Sequence, residues 1–292
     1  MFTEVNKPGV LFETFPGGVA LLHRMGSAIK QLDQLLRGEK TRGEAVEDGR
    51  LDLSIPGLLL AIVVLGGLFG ISMGAFGVLG GNQGAWLQII ASAVKVPALF
   101  LLTLIVTLPS LYVFNALVGS RLSAANMLKL ILGAIAVMLA VLAGFATIIG
   151  FFSFTTESYP FMKLLNVAIF AVSGVLGLGF LLQTLRRLAR EPEGEAEEVA
   201  PMFEKPGGQP TPGALTRVQR ERTSAPVRTI FQIWVVVFAL VGAQMSWVLR
   251  PFIGDPEVVA ERGFEVFRDR EGNFFGSVFR ALGDLVGLDE LD

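Results

Sequence analysis

The sequence contains no cysteine and a single histidine, His23. Without cysteine the chain has no disulfide, thiolate zinc site, iron–sulfur cluster or cysteine nucleophile, and one histidine excludes a histidine-rich metal site. Charged residues are also scarce, at 17% of the chain, whereas soluble domains carry about 25%. The 24 basic and 26 acidic residues nearly cancel, so no strong positive field attracts nucleic acid. These shortages argue against a soluble enzyme and against a nucleic-acid partner.

Apolar sequence is abundant: 52% of the 292 residues are hydrophobic and the mean hydropathy is +0.60. Five long intervals contain no charge: 53–94, 96–120, 130–156, 164–185 and 229–249. Each is long enough for the about 20 residues that a helix needs to cross a bilayer. Each is also continuously apolar, whereas barrel strands alternate at period two. We therefore predict an all-α integral membrane protein, a bundle of five transmembrane helices near 55–76, 97–118, 128–151, 163–184 and 229–249.

These spans divide the chain into five regions. They are an amphipathic N-terminal region (1–54), transmembrane helices 1–4 (55–190), a linker (191–228), transmembrane helix 5 (229–250) and an amphipathic tail (251–292). The linker joins an acidic run to many prolines and glycines. Such a composition buries too little apolar surface to fold, so we expect the linker to be disordered.

The distribution of basic residues predicts the orientation of the spans. Sixteen of the 24 lysines and arginines lie in the N-terminal region, the loop after span 2 and the whole segment between spans 4 and 5, and six lie on the opposite side. Lys129 and Lys163 stand at span edges and are left out. Basic residues accumulate on the cytoplasmic side. We therefore expect a bacterial inner-membrane protein with a cytoplasmic N-terminus, a cytoplasmic linker and a C-terminus outside.

Two segments outside the spans show helical apolar spacing. In 19–36 the apolar positions are Leu21, Leu22, Met25, Ile29, Leu32 and Leu36. This helix is expected to lie on the bilayer or the bundle, and the alternative is a docking helix for a cytoplasmic protein. In the tail, Asn273 is expected to cap a helix at the outer interface or against the bundle. Its apolar stripe is Phe275, Val278, Phe279, Leu282 and Leu285 or Val286.

Span 1 carries Gly66, Gly70 and Gly74 at four-residue intervals. Small residues let two helix backbones approach closely, and dispersion then replaces the hydrophobic drive that is missing in lipid. Packing inside the bundle is the expected use of this stripe. The alternative is association of two copies, so a homo-oligomer stays open.

A few polar residues interrupt the spans, and one group of them is a candidate intrabundle cluster: Lys95, Tyr112, Asn115, Asn166 and Gln244. The glycine-rich, polar stretch from Gly77 to Gln88 is expected to be a loop after span 1. A helix from about Gln83 to Val94 is expected at the outer interface, turning inward at Pro97, which opens span 2. Lys95 directly precedes that turn. Either Lys95 extends to the lipid headgroups or it faces a cavity. The sequence shows no catalytic motif, so we expect no catalytic, cofactor-binding or metal-binding residue and no enzyme.

Arg250 ends span 5, because the following Pro251 stops the helix. An arginine near apolar sequence needs acceptors for its donors. We hypothesise that Arg250 anchors the tail to the bundle, with Glu271 as its partner. Binding to a lipid phosphate is the alternative.

Asp52-Leu53-Ser54-Ile55-Pro56-Gly57 before span 1, together with the five-span pattern, resembles the Yip1 family of membrane proteins. A closer similarity is to bacterial polytopic membrane proteins of this length without an assigned activity. That similarity is carried by Lys95–Leu99, Pro109–Tyr112 with Asn115, Gln244–Phe252 and Glu271–Phe275. The Yip1 resemblance implies a cytoplasmic N-terminal region, a helical bundle and an outer C-terminus.

We therefore expect a non-enzymatic scaffold or membrane-organising protein of the inner membrane. Its partners would be the lipid bilayer and a membrane or cytoplasmic protein. The alternative function is a channel or transporter for a small solute, lined by the five polar residues of the candidate cluster. The charge-free spans favour the scaffold, because coupled transport usually relies on acidic residues within the membrane.

Overall fold

The computed structural model describes residues 16–37, 53–79, 86–117, 124–189, 229, 232–255, 258–259, 261, 263–267 and 272–287. These residues contain seven helices and no strand. The helices are α1 (Pro16–Leu36), α2 (Ile55–Leu79), α3 (Trp86–Leu117), α4 (Ala124–Thr155), α5 (Tyr159–Ala189), α6 (Gln232–Val248) and α7 (Phe274–Val286). The predicted all-α class is confirmed.

Four of the helices are long and apolar enough to cross a membrane. Their spans are Ile55–Val78, Trp86–Ser110, Ala125–Thr155 and Tyr159–Thr184, within α2 to α5. The fifth predicted span corresponds to α6, which is apolar but shorter than these four. The described residues therefore establish four candidate spans. The predicted disordered linker, 191–228, lies outside the described residues.

The start of the second span differs from the prediction. The sequence suggested a loop from Gly77 to Gln88 and a span opened by Pro97, but α3 begins at Trp86 and contains both Pro97 and Pro109. A proline inside a helix lacks the N–H that would bond the carbonyl four residues earlier. Neighbouring helices make this tolerable in a membrane bundle. Here Gly66 of α2 leaves space for the Pro97 ring, since a Cβ on Gly66 would lie 3.1 Å from it.

α2 lies at the centre of the bundle. It packs against α3, α4 and α1, while α5 packs against α4. Phe170 of α5 joins these layers, with its ring 5.5 Å from that of Phe69 on α2 and 6.0 Å from that of Phe100 on α3. The connections between α2 and α5 are short, which makes consecutive helices antiparallel.

α1 and the tail lie at opposite ends of α2. At one end, Gln31 Nε2 of α1 donates to Ser54 O at 3.2 Å, and Leu35 is fully buried beside Gly133 of α4. At the other end, Gly77 touches Gly254 of the tail. The 25 residues of α2 extend about 37 Å, which is enough to cross the hydrocarbon core of a bilayer. We call these the α1 end and the tail end.

Large apolar side chains cover the outside of the bundle. Ile105, Phe154 and Val175 are 64%, 73% and 68% exposed. A helix that is apolar on its outer as well as its inner face belongs in lipid. The outward residues therefore agree with the membrane class, and the inner ones form the core.

The stripe Gly66, Gly70 and Gly74 lies against the backbone of α3. A Cβ on Gly70 would overlap the Ser92 carbonyl, and one on Gly74 would lie 2.8 Å from the Gln88 oxygen. Such distances do not occur between real atoms, so α2 and α3 touch backbone to backbone. α3 of the same chain therefore covers the glycine stripe, as expected for packing within the bundle.

Gly70→Ala should therefore destabilise the bundle by about 1–3 kcal/mol, the usual cost of overpacking. Gly67→Ala is the matched control, because a Cβ there meets a single atom at an ordinary 3.6 Å. Thermal unfolding in detergent measures both variants. Equal stability of the two would show that α2 and α3 are further apart than described.

Candidate functional site

The first turns of α3 carry three buried polar side chains on one face. Gln88, Ser92 and Lys95 are four and three residues apart, the spacing that places side chains side by side on a helix. They are 1%, 0% and 5% exposed. Buried polar groups need hydrogen-bond partners to offset the loss of water. We call these three residues the polar anchor, and their partners define the site.

The partners are backbone carbonyls of the segment that follows α6. Gln88 Nε2 donates to Phe252 O at 2.7 Å and to Pro251 O at 3.2 Å. Ser92 Oγ donates to Phe252 O as well, and Lys95 Nζ donates to Pro251 O at 2.9 Å. Residues 251–254 are not helical, so their carbonyls lack donors within a helix. The side chains of α3 supply the hydrogen-bond donors that these carbonyls need.

Lys95 also reaches a second part of the tail. Its Nζ donates to Val266 O and lies 5.0 Å from the centre of the Phe267 ring. Carbonyl oxygens and the face of an aromatic ring both present negative partial charge to a cation. One ammonium group therefore joins two separate stretches of the tail to α3.

Glycines let the tail approach closely enough for these bonds. A Cβ on Gly77 would lie 2.9 Å from the Cα of Gly254, and a Cβ on Gly254 would lie 3.0 Å from the Cα of Gly77. Leu249, Phe252 and Ile253 are buried and belong to the hydrophobic core. The tail segment thus continues the packed interior beyond the end of α6.

The candidate cluster of five polar residues is spread along the bundle. Tyr112 is 60% exposed and lies 17 residues after Lys95 on the same helix, or about 25 Å along its axis. Gln244 is exposed on α6, and the side chain of Asn115 lies outside the described residues. The structure thus does not bring Lys95 and Tyr112 together, because α3 runs through the thickness of the bundle.

Asn166 is buried within α5, at 2% exposed. Its Nδ2 donates to Met162 O at 2.8 Å, one turn earlier on the same helix. Its Oδ1 has no partner among the described residues, and neither does Ser173 Oγ on the same helix. The amide group of Asn166 therefore donates a hydrogen bond within its own helix.

Arg250 contacts an aromatic ring, with its guanidinium carbon 3.7 Å from the centre of the Trp247 ring. Glu271, the partner hypothesised for it, lies outside the described residues. The tail is nevertheless held next to Arg250, because the carbonyls of Pro251 and Phe252 accept hydrogen bonds from the polar anchor.

Sequence reasoning found Lys95 but missed Gln88 and Ser92. The signal was present, since polar residues at 88, 92 and 95 share one face of an otherwise apolar helix. The shared face was missed because Gln88 was assigned to the expected loop and no single expected helix carried Gln88, Ser92 and Lys95. The acceptors had no signal in the sequence, because they are backbone atoms more than 150 positions away.

Chemically, the polar anchor is a set of hydrogen-bond donors, one of them positively charged. Its partners are backbone oxygens and a ring, so it holds chain segments together. Within the described ranges, no group of three or more His, Asp or Glu side chains is placed to hold a metal ion. The geometry is that of a structural joint between α3 and the tail.

Lys95→Met should loosen the tail, because Pro251 O and Val266 O lose a charged donor in a buried place. The expected loss of stability is about 1–3 kcal/mol, with earlier protease cleavage after residue 250. Lys30→Met, at an exposed position of α1, is the control for loss of one charge. Tail cleavage at the wild-type rate in Lys95→Met would refute the role of the ammonium group.

No family model matches the chain, and neither the curated proteins nor the solved structures contain a match. The function is therefore inferred from the described geometry and the sequence pattern.

Proposed function

We propose that the chain is a non-enzymatic scaffold or membrane-organising protein of the bacterial inner membrane, with the five-span arrangement of the Yip1 family. One observation carries this proposal. Lys95, a buried cation within a candidate span, is bonded to backbone carbonyls and covered by a ring. A charge that lines a transport path must stay accessible to the solute, whereas this one is used to fix the tail.

Other polar side chains of α3 are used in the same structural way. Thr103 Oγ1 donates to Leu99 O at 2.6 Å, and Thr107 Oγ1 donates to Thr103 O at 2.8 Å. Such bonds satisfy the hydroxyl groups inside their own helix. They favour a packed bundle over a polar channel along α3.

The proposal includes α6 as the fifth span. Contacts with α3 support it at successive levels of the bundle. Trp234 Nε1 donates to Thr107 O at 3.1 Å, Gly242 lies beside Thr103, and Phe252 O accepts from Gln88. These contacts pair later residues of α6 and its tail with earlier residues of α3, so the two helices run antiparallel. The charge-free interval 229–249, which contains α6, has the length of about 20 residues that a span needs.

We further propose that the α1 end is cytoplasmic and the tail end is outside. The excess of lysine and arginine on the side of the N-terminal region and the linker supports this orientation. The placement of α1 and the tail at opposite ends of α2 is compatible with it.

Reporter fusions test the span count and the orientation together. Fusions at Met1, Gly208 and Asp292 should report cytoplasm, cytoplasm and exterior. The positive charge near Met1 and Gly208 opposes their translocation. A cytoplasmic signal at Asp292 would rule out five spans.

The scaffold proposal places a protein partner at the α1 end. α1 turns Leu35 into the bundle and leaves Ile29 and Leu36 62% and 52% exposed, seven residues apart on one face. A photo-crosslinking residue at Ile29 should give discrete protein adducts in intact cells, while the same residue at buried Leu35 should give none.

Solute flux through proteoliposomes tests the channel alternative in parallel. Flux that appears with the wild-type chain and falls in Lys95→Met, without protein adducts at Ile29, would replace the scaffold by a channel. Adducts at Ile29 with no measurable flux are the result that the scaffold predicts.

A further inference from the structure

α7 packs on the bundle through its smallest side chains. Ser277 and Ala281 are buried at 5% and 2% exposed, and the helix contacts α5. The larger apolar side chains point away from the protein. They are Phe275, Phe279, Leu282 and Val286, which are 42%, 71%, 47% and 63% exposed. We call these four residues the α7 stripe; their spacing of four, three and four residues places them on one face.

α7 is a well-ended helix rather than a frayed segment. Asn273 Oδ1 accepts from the Gly276 N–H at 2.9 Å, so the predicted cap is present. At the other end Gly287 has φ 73° and donates its N–H to Gly283 O. In this conformation glycine is the favoured residue. The exposed stripe therefore belongs to a stable amphipathic helix.

α7 contacts α5, and each of the two helices carries a basic side chain: Lys163 near the start of α5 and Arg280 on α7. Arg280 and Arg250 interact electrostatically with Lys163 of α5, as do the carboxylates of Asp284 and Asp255. Lys163 is partly buried, with its Nζ 5.9 Å from the centre of the Tyr159 ring.

A shallow cavity of about 300 Å³, open to the outside, lies between α7 and the turn that joins α4 to α5. It is lined by Phe152, Thr155, Thr156, Ser158, Phe161 and Leu285. Thr156 Oγ1 and Ser158 Oγ accept backbone N–H groups, which leaves their hydroxyl hydrogens to donate. The cavity thus combines apolar rings with hydroxyl donors at the tail end of the bundle.

We propose that this place binds one phospholipid of the leaflet at the tail end. Lys163 and Arg280 bind the phosphodiester, with Arg250 beside them, and the acyl chains lie along the α7 stripe. A phosphodiester carries one negative charge, which attracts the ammonium group of Lys163 and the guanidinium group of Arg280. Basic and aromatic side chains are typical of the headgroup level of a membrane, and an amphipathic helix places its apolar face just below it.

Native mass spectrometry of the full chain in mild detergent tests this binding, with phosphatidylglycerol as the probe. The wild-type chain should retain one phospholipid. The double variant Lys163→Gln/Arg280→Gln should bind it at least about tenfold more weakly. Lys30→Gln/Arg37→Gln removes the same charge at exposed positions of the α1 end and should bind as the wild type does. Lipid retention by the first double variant would overturn the proposal.

Two further arms separate the sources of the phosphate and the role of the stripe. Inorganic phosphate at the same concentration should not compete with the lipid, because it lacks acyl chains. Equal competition would reduce the site to one for a free anion. Phe279→Ser/Leu282→Ser should weaken lipid binding without altering the charge. If that variant instead converts a dimer into a monomer, the stripe binds a second copy and the lipid assignment is wrong.

Misfolding is controlled within the same experiment. Lys163→Arg/Arg280→Lys keeps both charges and should retain the lipid. All variants are compared for their thermal unfolding before lipid is added. Loss of lipid in the charge-keeping variant, with unfolding unchanged, would contradict binding by charge and overturn the proposal.

Discussion

The structure depends on one constraint: a backbone carbonyl that lies beyond the end of a helix in an apolar environment needs a hydrogen-bond donor. At the end of α6 the chain turns into a non-helical segment that stays buried. Pro251 and Phe252 are buried and lie beyond the end of α6, so their carbonyl oxygens need hydrogen-bond donors from elsewhere in the bundle. Gln88, Ser92 and Lys95 supply the missing donors from α3. Their loss would leave buried carbonyls unpaired and so weaken the packing of the tail against the bundle.

Close packing of α2 and α3 positions the donor side chains of the polar anchor. The glycine stripe of α2 brings the backbone of α3 into contact at Gly70 and Gly74, beside Ser92 and Gln88. The same two helices present Gly77 and Gln88 to Gly254 of the tail. Small residues therefore act at two interfaces in succession, first between α2 and α3 and then between this pair and the tail. The polar anchor therefore lies where α3 is packed most closely against α2.

Much of the fold could be predicted from the sequence, but the site could be predicted only in part. The charge-free intervals located α2 to α5, since length and apolar content decide what can cross a bilayer, and Asn273 was correctly predicted as a helix cap. The start of α3 was wrong, because Pro97 is tolerated where Gly66 makes room. Lys95 was noticed, whereas its acceptors at 251 and 266 are backbone atoms that carry no residue-type signal.

Disulfide trapping tests the docking of α6 and its tail on α3 most directly, because the chain has no cysteine of its own. A Cβ on Gly242 would lie 3.6 Å from Cγ2 and 3.8 Å from Oγ1 of Thr103, which are ordinary contact distances, so Thr103→Cys and Gly242→Cys bring two sulfur atoms within bonding reach. Gln88, Ser92 and Lys95 all stay in place to hold the tail. After oxidation and cleavage at a protease site introduced at Gly208, the two fragments should remain joined until reductant is added. Fragments that separate without reductant, while both thiols still react with a labelling reagent, would contradict the account.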